Sequence, residues 1–127
     1  MAIMRGLRGT ADLRVGEEDT ALALGSGDVP VLATPRVLAL AEAATVAATA
    51  GQLDEGSTTV GTEVALSHLA ASAVGAGVRA EAGLRLVDGK RLVFDVTVAQ
   101  TGGGELARGT VERVVVDRAR FTAAARS

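Results

Sequence analysis

The chain has 127 residues, 48% of them hydrophobic and 22% charged, with a formal net charge of −2. That is one domain's length with an ordinary globular balance. With no cysteine and only Phe94 and Phe121 among Phe, Tyr and Trp, it lacks the side chains for disulfides, thiolate catalysis or stacking on nucleic-acid bases.

The weak negative charge gives no general attraction to nucleic acid or to an anionic membrane. A single histidine, His68, argues against a histidine-built metal site within one chain. The opening M-A-I-M-R-G-L-R-G lacks the continuous apolar core of a signal peptide. The most apolar segment, residues 37–50, is too short to span a bilayer and contains Glu42. The expectation is a soluble, cytoplasmic protein with one domain over residues 1–127, its ends at 1–9 and 118–127 loosely held.

In chain order, Ala11, Leu13 and Val15 alternate with Asp12 and Arg14, predicting a short first strand. Gly16 to Asp19, G-E-E-D, reads as a solvated turn, and Thr20 to Leu24 as a second short strand ended by G-S-G-D. Thr34-Pro35 then starts a helix. Threonine suits the N-cap, and proline suits the first turn, where its missing N–H is not needed. The helix is expected over residues 35–50, with Gly51 as its left-handed stop. Pro35 aside, only Arg36, Glu42, Thr45 and Thr49 interrupt its apolar character, which predicts a buried helix.

After a loop at 52–57, residues 58–69 read as a strand. Val60, Thr62, Val64, Leu66 and His68 fall on one side, Glu63 and Ser67 on the other. Residues 78–87 alternate cleanly, Asp88-Gly89 forms a two-residue hairpin turn, and Leu92, Phe94, Val96 and Val98 share a face of the returning strand. A turn at 101–104 leads to a last strand over 105–117. One lone helix must therefore cover one face of an antiparallel sheet. The predicted class is α+β, a hot-dog fold in which a curved antiparallel sheet wraps a central helix.

Three residues stand out chemically. Thr34 has the plain reading of a helix cap. Glu42 has apolar neighbours, Leu38, Leu40, Ala41, Ala43 and Val46, where a general base or nucleophile is tuned. His68 points to the apolar side of its strand, where an imidazole is costly unless hydrogen-bonded. Its plain reading is a satisfied core histidine. Thr34 and Glu42 stand eight positions apart, ~12 Å along a helix axis at 1.5 Å per residue. They do not touch within one chain, so a site using both spans an extended substrate or draws on a second chain. The free N–H groups at the helix start also favour developing negative charge on a carbonyl oxygen.

Residues 31–44 (V-L-A-T-P-R-V-L-A-L-A-E-A-A), then T-T-V-G-T-E-V-A-L-S-H-L-A-A, V-D-G-K-R-L and G-T-V-E-R-V-V-V, together resemble the hot-dog thioesterases of the fluoroacetyl-CoA thioesterase family. The similarity runs from Val31 to Val116, and T-V-G-T-x-V-A-x-S-H-x-A-A is its most specific piece. The resemblance implies a catalytic set of Thr34, Glu42 and His68, with Gly61 and Arg113 in substrate contact. It also implies active sites at a dimer interface. The enzyme that gives the family its name carries phenylalanines shortly before its threonine, whereas Ser26 to Ala33 (S-G-D-V-P-V-L-A) has no aromatic residue. Fluoroacetyl selectivity is therefore not expected to carry over.

The expected function is hydrolysis of a short- or medium-chain acyl-CoA, by a homodimer or higher oligomer. No metal or organic cofactor is implied, and no nucleic-acid or membrane partner. The rival reading is an acyl-CoA-binding or sensing hot-dog module without turnover. A hot-dog hydratase would need a different Asp/His arrangement, which the sequence does not contain.

Overall fold

The computed structural model describes residues 3–126. The long alternating runs all form strands: β1 (Arg8–Arg14), β2 (Ser57–His68), β3 (Gly77–Asp88), β4 (Arg91–Gln100) and β5 (Glu105–Asp117). They make one antiparallel sheet in the order β1-β3-β4-β5-β2, so β1 and β2 are its edges. The long helix, labelled α2 (Thr34–Ala48), packs on the inner face, as a hot-dog fold requires.

Period-two alternation puts Ala80, Ala82 and Leu84 of β3, and Leu92, Phe94, Val96 and Val98 of β4, into one core with Ala107 and Val111 of β5. Register places Leu84, Phe94, Val111 and Val64 in one row across four strands. Phe94 sits inside that row, fully buried. Truncating it to alanine would cost about 3–5 kcal/mol by lost transfer energy plus the cavity left behind.

The helix is apolar nearly all round but covered on one side only. Val37, Leu40, Ala41, Ala44, Thr45 and Ala48 are buried, while Pro35, Ala39, Ala43, Val46 and Ala47 are exposed. The buried side is rich in alanine, and β1 comes close to it. A Cβ on Gly9 would run into the backbone at Ala44 and Ala48. The helix ends at Ala48, two residues before the expected position, because Thr49 and Ala50 continue as tight turns into Gly51, at φ +75°.

Several short segments differ from the sequence reading. Thr20 to Leu24 is not a strand. Thr20 Oγ1 accepts from the Ala23 N–H at 3.2 Å and caps a single helical turn, α1 (Ala21–Leu24), closed by Gly25 at φ +71°. Over so few residues, the periods of helix and strand do not separate. The G-E-E-D turn is not wholly solvated either. Asp19 is buried, accepting from the Gly16 N–H at 2.8 Å and from Arg36 Nε at 2.9 Å.

The β3–β4 hairpin pairs Asp88 with Arg91, so its two loop residues are Gly89 and Lys90, one position later than expected. Gly89 has φ +60°, which suits the hairpin turn with glycine at its first central position. Near the start of the chain, the Gly6 N–H donates to Leu84 O and the Leu84 N–H to Leu7 O, so residues 6–9 are tied to β3 rather than loosely held. Residues Arg118–Ala124 of the expected loose tail form an exposed helix, α3, whose start is capped by the Asp117 carboxylate on the Arg120 N–H. Among the described residues, no helix is long and apolar enough to cross a membrane.

Candidate active site

The start of α2 is fixed from behind. The Ala33 N–H donates to Asp19 O at 2.9 Å, and the Asp19 carboxylate holds Arg36. Ala33, not Thr34, occupies the N-cap position, so the helix begins one residue earlier than expected and has no side-chain cap. The Thr34 hydroxyl is thereby released from the capping role the sequence suggested. It lies 2.8 Å from His68 Nδ1. With Nδ1 unprotonated, Thr34 donates and the imidazole can take its proton; in the other tautomer Nδ1–H donates to Thr34. His68 Nε2 is buried and, among the described residues, has no hydrogen-bond partner. A buried ring nitrogen is costly in that state, so the imidazole is only half satisfied by its own chain.

His68 faces α2 because β2 is irregular. Gly61 also faces α2, yet the two residues are an odd number of positions apart, and a regular strand would send them to opposite faces. The pairing with β5 supplies the reason. Gly61 stands opposite Arg113 and Glu63 opposite Glu112, so Thr62 is an extra residue, a β-bulge. Val64, Leu66 and His68 keep the inner face expected of them. Val60 and Thr62 do not share it; Thr59 and Gly61 take the inner positions on the other side of the bulge.

A second cluster forms two helical turns along α2. Glu42 Oε2 accepts from Arg113 Nη1 at 3.0 Å. Arg113 is buried, and Thr59 holds two more of its N–H groups: Nε donates to Thr59 Oγ1 at 2.9 Å and Nη2 to Thr59 O at 3.0 Å. Three charge-assisted hydrogen bonds offset the desolvation that a buried guanidinium otherwise carries. Gly61 leaves the space in which the Glu42 carboxylate lies. The preceding residue of β5 belongs to another network: Arg91 hydrogen-bonds Glu112 and holds its carboxyl below the usual carboxylate range.

The five residues singled out in the sequence thus form two groups, Thr34 with His68 and Glu42 with Gly61 and Arg113. The groups are ~12 Å apart along the helix axis, and among the described residues no hydrogen bond joins Glu42 to Thr34 or His68. Two contributors went unnoticed in the sequence. Thr59 reads as one of many strand threonines, and Asp19 as the end of an acidic turn. Only the fold reveals their partners. No group of three or more His, Cys, Asp or Glu able to hold a metal occurs among the described residues.

Hydroxyl, imidazole and carboxylate on or against one half-exposed helix face make a set able to move protons around a carbonyl centre. Comparison with known proteins gives that set a context. The fluoroacetyl-CoA-specific thioesterase (FlK) family model matches residues 15–119. The fluoroacetyl-CoA thioesterase of Streptantibioticus cattleyicolor is 38% identical over 96 residues, 76% of this chain and 68% of that protein. A mutant of the fluoroacetyl-CoA-specific thioesterase, solved in complex with fluoroacetate and CoA, superposes with a TM-score of 0.86 at 33% identity, covering 94% of this chain and 99% of that one. A Thermus thermophilus hypothetical protein described as a thioesterase superfamily member gives 0.90 at 28% identity, covering 98% and 92%. With the family model spanning most of its length and the hot-dog architecture in place, the chain belongs to the fluoroacetyl-CoA-specific thioesterase family of thioester hydrolases.

Proposed function

We propose that this enzyme hydrolyses a short- or medium-chain acyl-CoA, using Thr34, Glu42 and His68 at sites shared between the two chains of a homodimer. The observation that carries this reading is the 2.8 Å Thr34–His68 contact at the start of a helix whose exposed side also bears Glu42. In the proposed reaction the acyl carbonyl lies near Thr34 and the first turn of α2, where the helix dipole favours the developing oxyanion. A carbon–oxygen bond forms, from water activated by Glu42 or from the Glu42 carboxylate itself, and the carbon–sulfur bond breaks. If Glu42 attacks, water then hydrolyses the acyl-enzyme. His68 passes a proton to the departing thiolate. Gly61 and Arg113 contact the substrate beside Glu42. These steps need no metal or organic cofactor.

A dimer is supported by two surfaces. The apolar side of α2 is uncovered within one chain, and β2 is a long sheet edge whose middle, Gly61 to Ala65, is exposed. Long unpaired edges invite pairing with another chain, and two-fold contact is the commonest solution. An antiparallel partner helix would bring its Glu42 towards this chain's Thr34 and His68. The proposed location is the cytoplasm, where CoA esters are met.

The loop from Ser26 to Ala33 carries no aromatic side chain, and Ser26 to Pro30 is exposed. No lid of the kind that would favour a fluoroacetyl group is present there, so acetyl and longer acyl groups are proposed substrates. A hydrolysis screen over acyl-CoA esters of graded length, read by released thiol, tests the reading. Saturable binding of those esters without thiol release would replace it with that of a binding module.

A further inference from the structure

We infer that Thr59 is a positioning residue for the reaction: through Arg113 it sets where the Glu42 carboxylate lies. This rests on the catalytic reading of Glu42 given above. Thr59 is buried, and its hydroxyl and its carbonyl accept from Nε and Nη2, the two nitrogens along one edge of the Arg113 guanidinium. Two such bonds from one residue fix both the plane of the guanidinium and its rotation in that plane. Nη1 is then left aimed at Glu42 Oε2, 3.0 Å away. Register explains how one residue does this. Gly61 pairs with Arg113 and Thr59 with Val115, so Thr59 is a diagonal neighbour of Arg113 on the same inner face. Gly61, between them in direction, has no side chain to intervene.

The hydroxyl is the separable part, because the backbone carbonyl survives any substitution. Thr59→Val keeps shape and burial but removes the acceptor for Nε–H. Thr59→Ser keeps the acceptor and removes a methyl group. Arg113→Lys removes the Nε–H donor while leaving a cation for Glu42.

The experiment measures kcat and KM of the full chain and these variants on the acyl-CoA ester that the parent hydrolyses fastest. Thermal unfolding and the ¹⁵N resonance of Arg113 Nε–H are followed in parallel. For Thr59→Val we expect kcat about ten- to a hundred-fold lower, the order that small misplacements of reacting groups cost. KM should change less than kcat, and the Nε–H signal should move and exchange faster with solvent. Thr59→Ser should restore parental kcat, and Thr59→Val added to Arg113→Lys should cost little more than Arg113→Lys alone. Parental kcat in Thr59→Val, equal losses in the serine and valine variants, or additive losses in the double variant would each overturn the inference. If Thr59→Val does not fold, Thr59→Ala takes its place with the same expectations. If the parent itself releases no thiol, the proposed reaction fails. The resonance then decides alone: an unmoved Nε–H in Thr59→Val overturns the positioning role, and a shifted one upholds the geometry.

Discussion

Gly61 and Glu42 occupy one space: a Cβ built on Gly61 would lie 2.5 Å from Glu42 Oε2, although one residue is on β2 and the other on α2. The obstructed group is the far end of a flexible side chain, not backbone. Gly61→Ala should therefore fold and push the carboxylate aside. The expected result is kcat lower by about a hundred-fold, with a melting temperature close to the parent's. Unchanged turnover would show that the carboxylate's position here is not the one used in the reaction.

Glu42→Gln keeps the length of the side chain and an oxygen that can accept from Arg113, so the fold should survive. Losing a general base costs ~10²–10⁴-fold in rate, and losing a nucleophile can cost more. His68→Ala should also cripple hydrolysis, because the departing thiolate then loses the imidazole proposed to protonate it. Thiol-release assays on purified, folded variants measure both. Near-parental rates in both would reduce the constellation to structure.

Sharing of the site between chains has a direct readout. Thr34→Ala and Glu42→Gln proteins, each inactive alone, are unfolded together, refolded and assayed. A heterodimer with shared sites carries one intact site, so part of the activity should return. No recovery in verified heterodimers, or an active monomer by light scattering, would count against sharing.

The proposed acyl scope rests on the loop before α2. With no aromatic residue from Ser26 to Ala33, kcat/KM for fluoroacetyl-CoA should be close to that for acetyl-CoA. A large preference for the fluorinated ester would mean that another part of the site makes the distinction.

Gly9 offers a test of packing alone. Any Cβ there meets the backbone at Ala44 and Ala48, which cannot rotate away as a side chain can. Gly9→Ala should lower stability by about 1–3 kcal/mol, the usual cost of overpacking, measured by urea unfolding. Parental stability would mean that β1 and α2 separate freely.

The strands and the long helix were legible in the sequence because each is long enough for its period to show. Residues 105–117 matched to the residue, and the start of α2 to within one. Where the reading failed, the segment was short or the deciding contact was distant. Thr20 to Leu24 is five residues, too few to separate a turn of helix from a strand. Thr34 looked like a cap because a threonine before proline usually is one. Nothing local shows that His68, 34 positions away, takes its hydroxyl. Thr59 and Asp19 were missed for the same reason, since their partners Arg113 and Arg36 are remote in sequence. The pairing of Thr34 with His68 and of Glu42 with Arg113 is a product of register, which a single sequence does not display.

The bulge at Thr62 means that β2 carries one residue of slack between its two working ends. Removing Thr62 would draw the strand taut into an unbroken ladder, with Gly61 still opposite Arg113 and His68 still opposite Ala107. Facing would survive the deletion, since both ends would still look towards α2. Aim would not, because the extra residue also adds local twist and bends the strand. A relative with one residue fewer here can thus keep every chemical group and still point its imidazole elsewhere.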